Sequence, residues 1–164
     1  MKQQPASNRL YALKDLLDLH TTFFDNALAG ISDEDSTDRL GTKANHIAWL
    51  AGSLVQERFE IAKLLGSALT PSANELFKDH QGIQETAIYP SLESFKEDWK
   101  EISPVLKDLL LKATDDELDR VLDFPGMSFP LYDLISFQTY REANCIGQIA
   151  LWRRLLDYDA MKYM

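Results

Sequence analysis

The chain lacks several features that mark particular protein classes. Cys145 is the only cysteine in 164 residues, which excludes an internal disulfide and fits a reducing cytoplasm. Residues 1–10 contain no apolar segment of signal-peptide length, and no window approaches the apolar length of a membrane span. We therefore expect a cytoplasmic protein that does not partner a membrane.

Basic residues are scarce relative to acidic ones. There are 17 Lys and Arg against 26 Asp and Glu, a formal net charge of -9. Binding to nucleic acid or to an anionic membrane requires a basic surface, so the composition argues against both partners. The hydrophobic fraction of 45% is ordinary for a globular protein. The length fits a single domain, 1–164.

The spacing of apolar residues is helical almost throughout, and no strand pattern is convincing. Thr42 is expected to cap the second long helix. Pro71, Gly82 and Pro90 interrupt a long connection at 66–90. A connection of this length permits a crossover along a helical bundle. The predicted long helices cover roughly 7–29, 42–65, 91–112 and 131–157. The predicted fold is all-α: a four-helix bundle with a long crossover between helices two and three.

Smaller signals add detail to this prediction. Pro104 should kink or split the third helix. Thr114 and Glu117 have capping-box spacing, which predicts a short helix. Pro125-Gly126 predicts a turn. Gly52 lies inside the second helix, which indicates a close contact with its backbone.

Polar residues on the predicted inward stripes are the candidate functional groups, because burying a polar group without a partner is costly. On the fourth helix, Arg141, Cys145 and Gln148 follow helical spacing and share a face. Imidazole and thiolate are suitable zinc ligands, whereas arginine has no lone pair to donate. The candidate pocket residues are His20, His46, Glu57, Gln138, Arg141, Cys145 and Gln148.

Each candidate also has a purely structural interpretation. A single histidine on an apolar stripe is more often a hydrogen-bonded core residue than a ligand, which applies to His20. Cys145 in a packed helix is most often a small buried hydrophobe. Arg141 would then bury its stem and extend its head to the solvent.

Two segments resemble the signatures of the DinB-like superfamily of bacterial four-helix bundles. Residues 45–52 (NHIAWLAG) are similar to the helix-two signature. Residues 141–149 (REANCIGQI), followed by 151–156 (LWRRLL), are similar to the helix-four signature. The ending Met161-Lys162-Tyr163 is also similar to some members. Since the order and spacing of all four predicted helices match, the resemblance covers nearly the whole chain.

This resemblance implies a fold, a partner and a metal site. Members typically have a crossover bundle, and many are homodimers. Many hold zinc or nickel on three histidines, one from helix two and two from a His-x-x-x-His on helix four. Some relatives are thiol-dependent transferases or isomerases, and others are described as metal-dependent hydrolases.

The implied ligand set is incomplete in this sequence. His46 matches the helix-two ligand, but the two helix-four positions fall on Arg141 and Cys145. Cys145 retains a donor atom and Arg141 does not, so His46 and Cys145 are at best weak metal ligands. The resemblance therefore implies a degenerate metal site that does not bind zinc or nickel tightly.

Three functional hypotheses remain open. In the leading one, Arg141 pairs with a buried carboxylate such as Glu57, or binds a small anionic ligand in the remaining pocket. In the second, His46, Cys145 and His20 hold a metal ion in a thiol transferase or hydrolase. In the third, Arg141 lowers the pKa of Cys145, which acts as a nucleophile with His46 as its base. The sequence has no phosphate loop, nucleotide fingerprint or serine triad, and it identifies no substrate.

Overall fold

A computed structural model describes residues 4–163 of the chain, and this part is mostly helical. Seven α-helices and two strands lie in these residues. They are, in order, α1 (Tyr11–Leu28), α2 (Asp33–Ser36), α3 (Ile47–Leu64), α4 (Asn74–Phe77), α5 (Leu92–Lys112), α6 (Asp115–Leu118), β1 (Val121–Phe124), β2 (Met127–Pro130) and α7 (Leu131–Leu155). The prediction of a mainly α-helical chain is thus confirmed.

The four long helices, α1, α3, α5 and α7, pack side by side around one apolar core. Both α1 and α3 pack against α5 and against α7. Phe24 of α1 stacks on Trp99 of α5, with ring centroids 4.1 Å apart. Because burial of such side chains is the main favourable term in folding, this core fixes the positions of the polar groups between the helices.

Two predicted helix starts are confirmed, and at both a serine or threonine hydroxyl caps the first turn. The Ser91 hydroxyl accepts the backbone N–H of Ser94 at the start of α5. Thr114 and Glu117 form the predicted capping box of α6. The predicted long connection is present between α3 and α5, and α4 lies within it.

The predicted start of the second long helix is wrong. Thr42 does not cap it; the helix begins at Ile47, and His46 is its N-cap. The Nδ1 atom of His46 accepts the backbone N–H of Trp49 at 3.1 Å. A side-chain acceptor at this position satisfies one of the free N–H groups of the first turn, and the imidazole supplies it here.

The expectation of no strands is also wrong. Strands β1 and β2 form an antiparallel hairpin around the predicted turn at Pro125-Gly126. Gly126 has a φ of +84°, which favours glycine in the turn. The rings of Phe124 and Phe129 stack with centroids 5.2 Å apart. The hairpin is short and largely exposed, so it lacks the alternating burial by which strands are recognised.

Two predictions concern single residues inside the long helices, Pro104 and Gly52, and their outcomes differ. Helix α5 runs unbroken through Pro104 and is not split there. A Cβ built at Gly52 of α3 would overlap the ring of Phe77 and lie 2.8 Å from the ring of Phe95. The predicted close contact at Gly52 is therefore confirmed.

Within residues 4–163, no helix combines the length and apolar character needed to cross a membrane.

Candidate functional site

A groove beside α7 contains several of the predicted site residues. It lies against the start of α3 and encloses about 300 Å³. This volume is at the lower end of the range for small-molecule sites. We call it the α3–α7 groove. Its lining residues are Asn45, Trp49, Leu50, Phe137, Tyr140, Arg141, Asn144, Cys145 and Gln148.

Arg141 is held beside the groove by two polar partners on α3. It forms an ion pair with Glu57. Its Nη2 atom also donates to the Ser53 hydroxyl at 2.8 Å. The hypothesis that Arg141 pairs with Glu57 therefore matches the geometry. Because the Glu57 carboxylate balances the guanidinium charge, the attraction of Arg141 for an anionic ligand in the groove is weakened.

Cys145 is buried in the core, with 4% of its surface exposed. Burial raises the pKa of its thiol, and Glu142 adds to this effect, while Arg141 acts in the opposite direction. The prediction of a lowered Cys145 pKa is wrong: Arg141 does act to lower it, but removal of the thiol from water outweighs this nearby positive charge. Cys145 is thus a protonated thiol at neutral pH, unsuited to nucleophilic attack.

His46 does not line the groove. Its ring packs edge-on against Tyr89, with centroids 4.6 Å apart. Burial, and then the positive charge of Arg39, lower the pKa of His46, so the ring is neutral. Since Nδ1 accepts the Trp49 N–H, the neutral ring carries its proton on Nε2. Nδ1 is therefore engaged, and Nε2 would have to lose its proton to bind a metal ion.

The remaining two residues on the predicted stripe of α7 differ in burial. Gln138 is buried, with 8% of its surface exposed. Gln148 is exposed and donates to the Asn144 side chain at 2.6 Å. The prediction that Gln148 faces inward is wrong, since it is exposed, although it does line the groove. The buried face of α7 is rotated from the predicted one and includes Glu142.

His20 belongs to a separate buried network. Its Nδ1 lies 3.0 Å from Oε2 of Glu142. Arg58 of α3 donates two hydrogen bonds to the same carboxylate, from Nε at 2.6 Å and from Nη2 at 2.8 Å. Arg58 and Glu142 are both nearly fully buried, at 2% and 3% exposure. His20 is thus a hydrogen-bonded core residue, as its structural interpretation predicted.

The other donors of Arg58 are also satisfied. Nη1 donates to the hydroxyls of Thr21, at 2.8 Å, and Ser103, at 2.7 Å. The guanidinium carbon lies 3.5 Å from the centroid of the Trp99 ring, a cation–π contact. Burial opposes ionisation of Glu142, but the charge and hydrogen bonds of Arg58, followed by those of His20, lower its pKa. We call Arg58, Glu142, His20, Thr21, Ser103 and Trp99 the buried network.

This network joins all four long helices but offers no space for a ligand. The cleft beside Arg58 encloses only about 10 Å³, roughly one water molecule. Arg58 and Glu142 are the residues that sequence reasoning missed. A charged residue in an amphipathic helix is usually solvated, and only the tertiary packing shows that these two lie opposite each other.

The residues of the implied metal site do not fit a metal ion. Arg141 has no lone pair, the Cys145 thiol is protonated, and Nδ1 of His46 is engaged. In the part of the chain that the structure describes, no three or more His, Cys, Asp or Glu side chains are placed to hold a metal. The alternative set of His20, His46 and Cys145 therefore does not form such a group.

Comparison with known proteins adds no assignment. No protein-family model matches the chain, and no curated protein is significantly similar to it.

Proposed function

We propose that this chain is a DinB-like four-helix bundle with a degenerate metal site, and that its α3–α7 groove binds a small molecule without a tightly held metal ion. Two observations support the fold proposal: the pairwise packing of α1, α3, α5 and α7, and the long connection that precedes α5. The motifs NHIAWLAG and REANCIGQI face the groove in part, through Asn45, Trp49, Arg141, Asn144 and Cys145.

The lining of the groove carries the functional proposal. The Arg141–Glu57 pair makes its polar side electrically balanced. Asn45, Asn144 and Gln148 contribute amide groups, and the aromatic rings contribute apolar surface. A ligand pocket combines apolar surface with polar groups that fix the orientation of the ligand. We therefore favour an uncharged polar ligand with a ring-sized apolar part over an anion or a thiol.

Trp49 provides a specific point of recognition. It lines the groove, and its indole Nε1 is buried with no hydrogen-bond partner among the described residues. Buried donors nearly always have a partner, which a ligand acceptor or an ordered water would supply. Trp49→Phe keeps an aromatic ring but removes this donor.

Ligand-observed NMR with uncharged aromatic amides, such as nicotinamide and N-acetyl-phenylalanine amide, tests the proposal. We expect binding that shifts the backbone amide signals of 45–50 and 137–148. The Trp49→Phe variant should weaken it by about fivefold, the loss of one net hydrogen bond. Exposed Phe124→Leu, in the hairpin, serves as the control and should bind as the parent does. Equal binding by parent and Trp49→Phe, or shifts confined to other residues, would refute a ligand site here.

The metal part of the proposal has its own test. Protein purified without added metal should contain no stoichiometric zinc or nickel by elemental analysis. Adding either ion should leave the melting temperature unchanged, because only a ligand that binds the folded state stabilises it. A bound ion that is lost in His46→Ala would instead support the metal-dependent transferase or hydrolase. That activity stays a prediction of the resemblance, as does the homodimer.

A further inference from the structure

The facing sides of α3 and α7 run antiparallel along the α3–α7 groove. The Asn45 carbonyl accepts the indole N–H of Trp152, and further along α3 the Ser53 hydroxyl accepts from Arg141. Residue numbers therefore rise along α3 where they fall along α7. Helical spacing places two sets of residues on these facing sides: 49, 53 and 57 of α3, and 138, 141 and 145 of α7.

Two buried acceptors on these sides have no donor among the described residues. Arg141 pairs with Oε1 of Glu57, which leaves Oε2 of that carboxylate without a hydrogen bond. Oε1 of Gln138 also has none, and the two residues are only 9% and 8% exposed. Both adjoin the wall of the groove, because it is lined by Arg141 and by Phe137, the chain neighbour of Gln138. Since buried polar atoms nearly always have partners, these acceptors indicate a donor supplied from the groove.

The unpartnered donor of Trp49 lies towards the other end of the same groove. Trp49 and Glu57 are eight residues apart on one side of α3, which corresponds to about 12 Å along a helix. The groove therefore has a direction: a bound molecule meets a hydrogen-bond donor at one end and two acceptors at the other. A ligand of matching chemistry carries an acceptor and a donor group that are well separated.

The charge beside the two acceptors favours an uncharged donor group. The Arg141 guanidinium is already paired with Glu57, so an amine cation would bring a second positive charge next to it. A primary carboxamide has no charge and two N–H groups. One of these can donate to Glu57 and the other to Gln138.

We propose that the α3–α7 groove takes an N-acylated aromatic amino-acid amide, whose terminal –NH2 donates to Glu57 and Gln138 and whose acyl carbonyl accepts from Trp49. The two ends of such a compound are about 7 Å apart when it is extended. With a hydrogen bond of about 2.9 Å at each end, it matches the spacing along α3. Its aromatic ring packs on Phe137 and Tyr140, which line the groove. This assignment rests on the proposed function and adds the class and the orientation of its ligand.

Two matched ligands measure recognition of the –NH2 group. N-acetyl-phenylalanine methyl ester replaces the –NH2 of N-acetyl-phenylalanine amide with a group that has no N–H, and the rest of the compound is unchanged. In NMR titrations we expect the parent protein to bind the amide about 25-fold more tightly than the ester, the loss of two net hydrogen bonds. Equal affinities would overturn the proposal but would leave a ligand site in the groove.

Variants at the two ends of the groove test the orientation. Gln138→Met keeps the length of the side chain but removes the acceptor, so the preference for the amide should fall to about fivefold. Trp49→Phe affects the acyl carbonyl, which both compounds carry, and should weaken both without changing the preference. Gln148→Met is the matched control, because Gln148 lines the groove but is exposed. A preference that is unchanged in Gln138→Met, or equally reduced in Gln148→Met, would overturn this orientation.

Thermal unfolding shows whether Gln138→Met is folded and whether Gln138 acts within the protein. Because Oε1 of Gln138 has no partner among the described residues, its removal should leave the melting temperature at or above that of the parent. A clearly lower melting temperature would show that the amide is bonded inside the protein, and would overturn its role in ligand recognition.

This proposal and the proposed function fail in distinguishable ways. Binding of nicotinamide without binding of N-acetyl-phenylalanine amide would retain the ligand site and remove this ligand class. Binding of none of the three compounds would remove the ligand site itself, and this inference with it.

Discussion

At the scale of single residues, the main feature is a buried charge cluster that the apolar pattern conceals. Arg58 and Glu142 lie on different helices, and each is nearly fully buried. Five donors of the guanidinium have acceptors: the two oxygens of Glu142, the hydroxyls of Thr21 and Ser103, and the carbonyl of Leu17. Because desolvation of such a pair is costly, it fixes helix positions more than it adds stability.

Removing one partner of this pair should be strongly destabilising. Arg58→Met leaves the Glu142 carboxylate buried without its main partner, and we expect a loss of about 3–5 kcal/mol in the free energy of unfolding, measured with urea. The double variant Arg58→Met, Glu142→Leu should recover much of this loss. Arg9→Met, which breaks the exposed pair with Asp119, is the control and should have little effect. A double variant no more stable than Arg58→Met would contradict the argument.

At the scale of secondary-structure elements, two residues of α3 act through the backbone. His46 caps the first turn, and Gly52 lets Phe77 and Phe95 approach the helix closely. Neither role depends on a ligand. The histidine that the resemblance assigns to a metal is thus engaged in holding the end of a helix.

The capping role is separable from the packing of the imidazole ring. His46→Asn and His46→Ala both lose the contact with Tyr89, but asparagine retains a side-chain acceptor for the Trp49 N–H. We expect His46→Ala to be less stable than His46→Asn by about 1 kcal/mol in urea denaturation. Equal stabilities would show that the hydrogen bond to Trp49 contributes nothing.

The two glycines inside long helices should respond oppositely to substitution. Gly52→Ala should destabilise the protein, because the new methyl group meets two aromatic rings whose movement disturbs the core. At Gly147 in α7, a Cβ would have nothing within 4 Å. Gly147→Ala should therefore stabilise by up to about 1 kcal/mol through helix propensity. Thermal unfolding followed by circular dichroism measures both, and a stabilising Gly52→Ala would refute the predicted clash.

At the scale of the whole molecule, two buried groups whose pKa values are lowered, Glu142 and His46, make stability fall in acid. The pKa of Glu142 is lowered in the folded protein: burial opposes this shift, and Arg58 and His20 outweigh it. Its contribution is complete above the pKa of glutamate in the unfolded chain, about 4.3. That contribution is lost as the pH falls through the lower folded value. The pKa of His46 is also lowered, so its contribution begins to decline below the ordinary histidine pKa of about 6.5.

Two variants should distinguish the loss of stability in acid that is due to His46 from the loss that is due to Glu142. His46→Asn should reduce the loss of unfolding free energy that begins below about pH 6.5. The Arg58→Met, Glu142→Leu variant should reduce the loss that begins below about pH 4.3. Urea titrations of the parent and both variants at a series of pH values provide the measurement. Parallel curves for all three proteins would show that other groups dominate the acid response.

The candidate site was only partly predictable from the sequence. Helical spacing correctly grouped Arg141 with Cys145, and charge chemistry suggested its pairing with Glu57. Helical spacing also placed Gln148 on the buried face of α7, where it does not lie, and it did not identify Glu142, which does lie there. Because apolar and polar residues are mixed on all sides of α7, its sequence defines no single buried face. Packing against α1 and α3 determines which face is buried.

The sequence by itself determined the helical character of this protein and the close packing of side chains against Gly52. It also determined the helix starts at Ser91 and Thr114 and the turn at Pro125-Gly126. These features follow from local backbone preferences and periodic burial, which neighbouring residues specify. Only the tertiary structure decided that Arg58 meets Glu142, that burial keeps Cys145 a thiol, and that His46 caps a helix. Each of these depends on the solvent exposure and on the charges that segments distant in the sequence place around a residue. Neighbouring residues in the sequence do not specify either quantity.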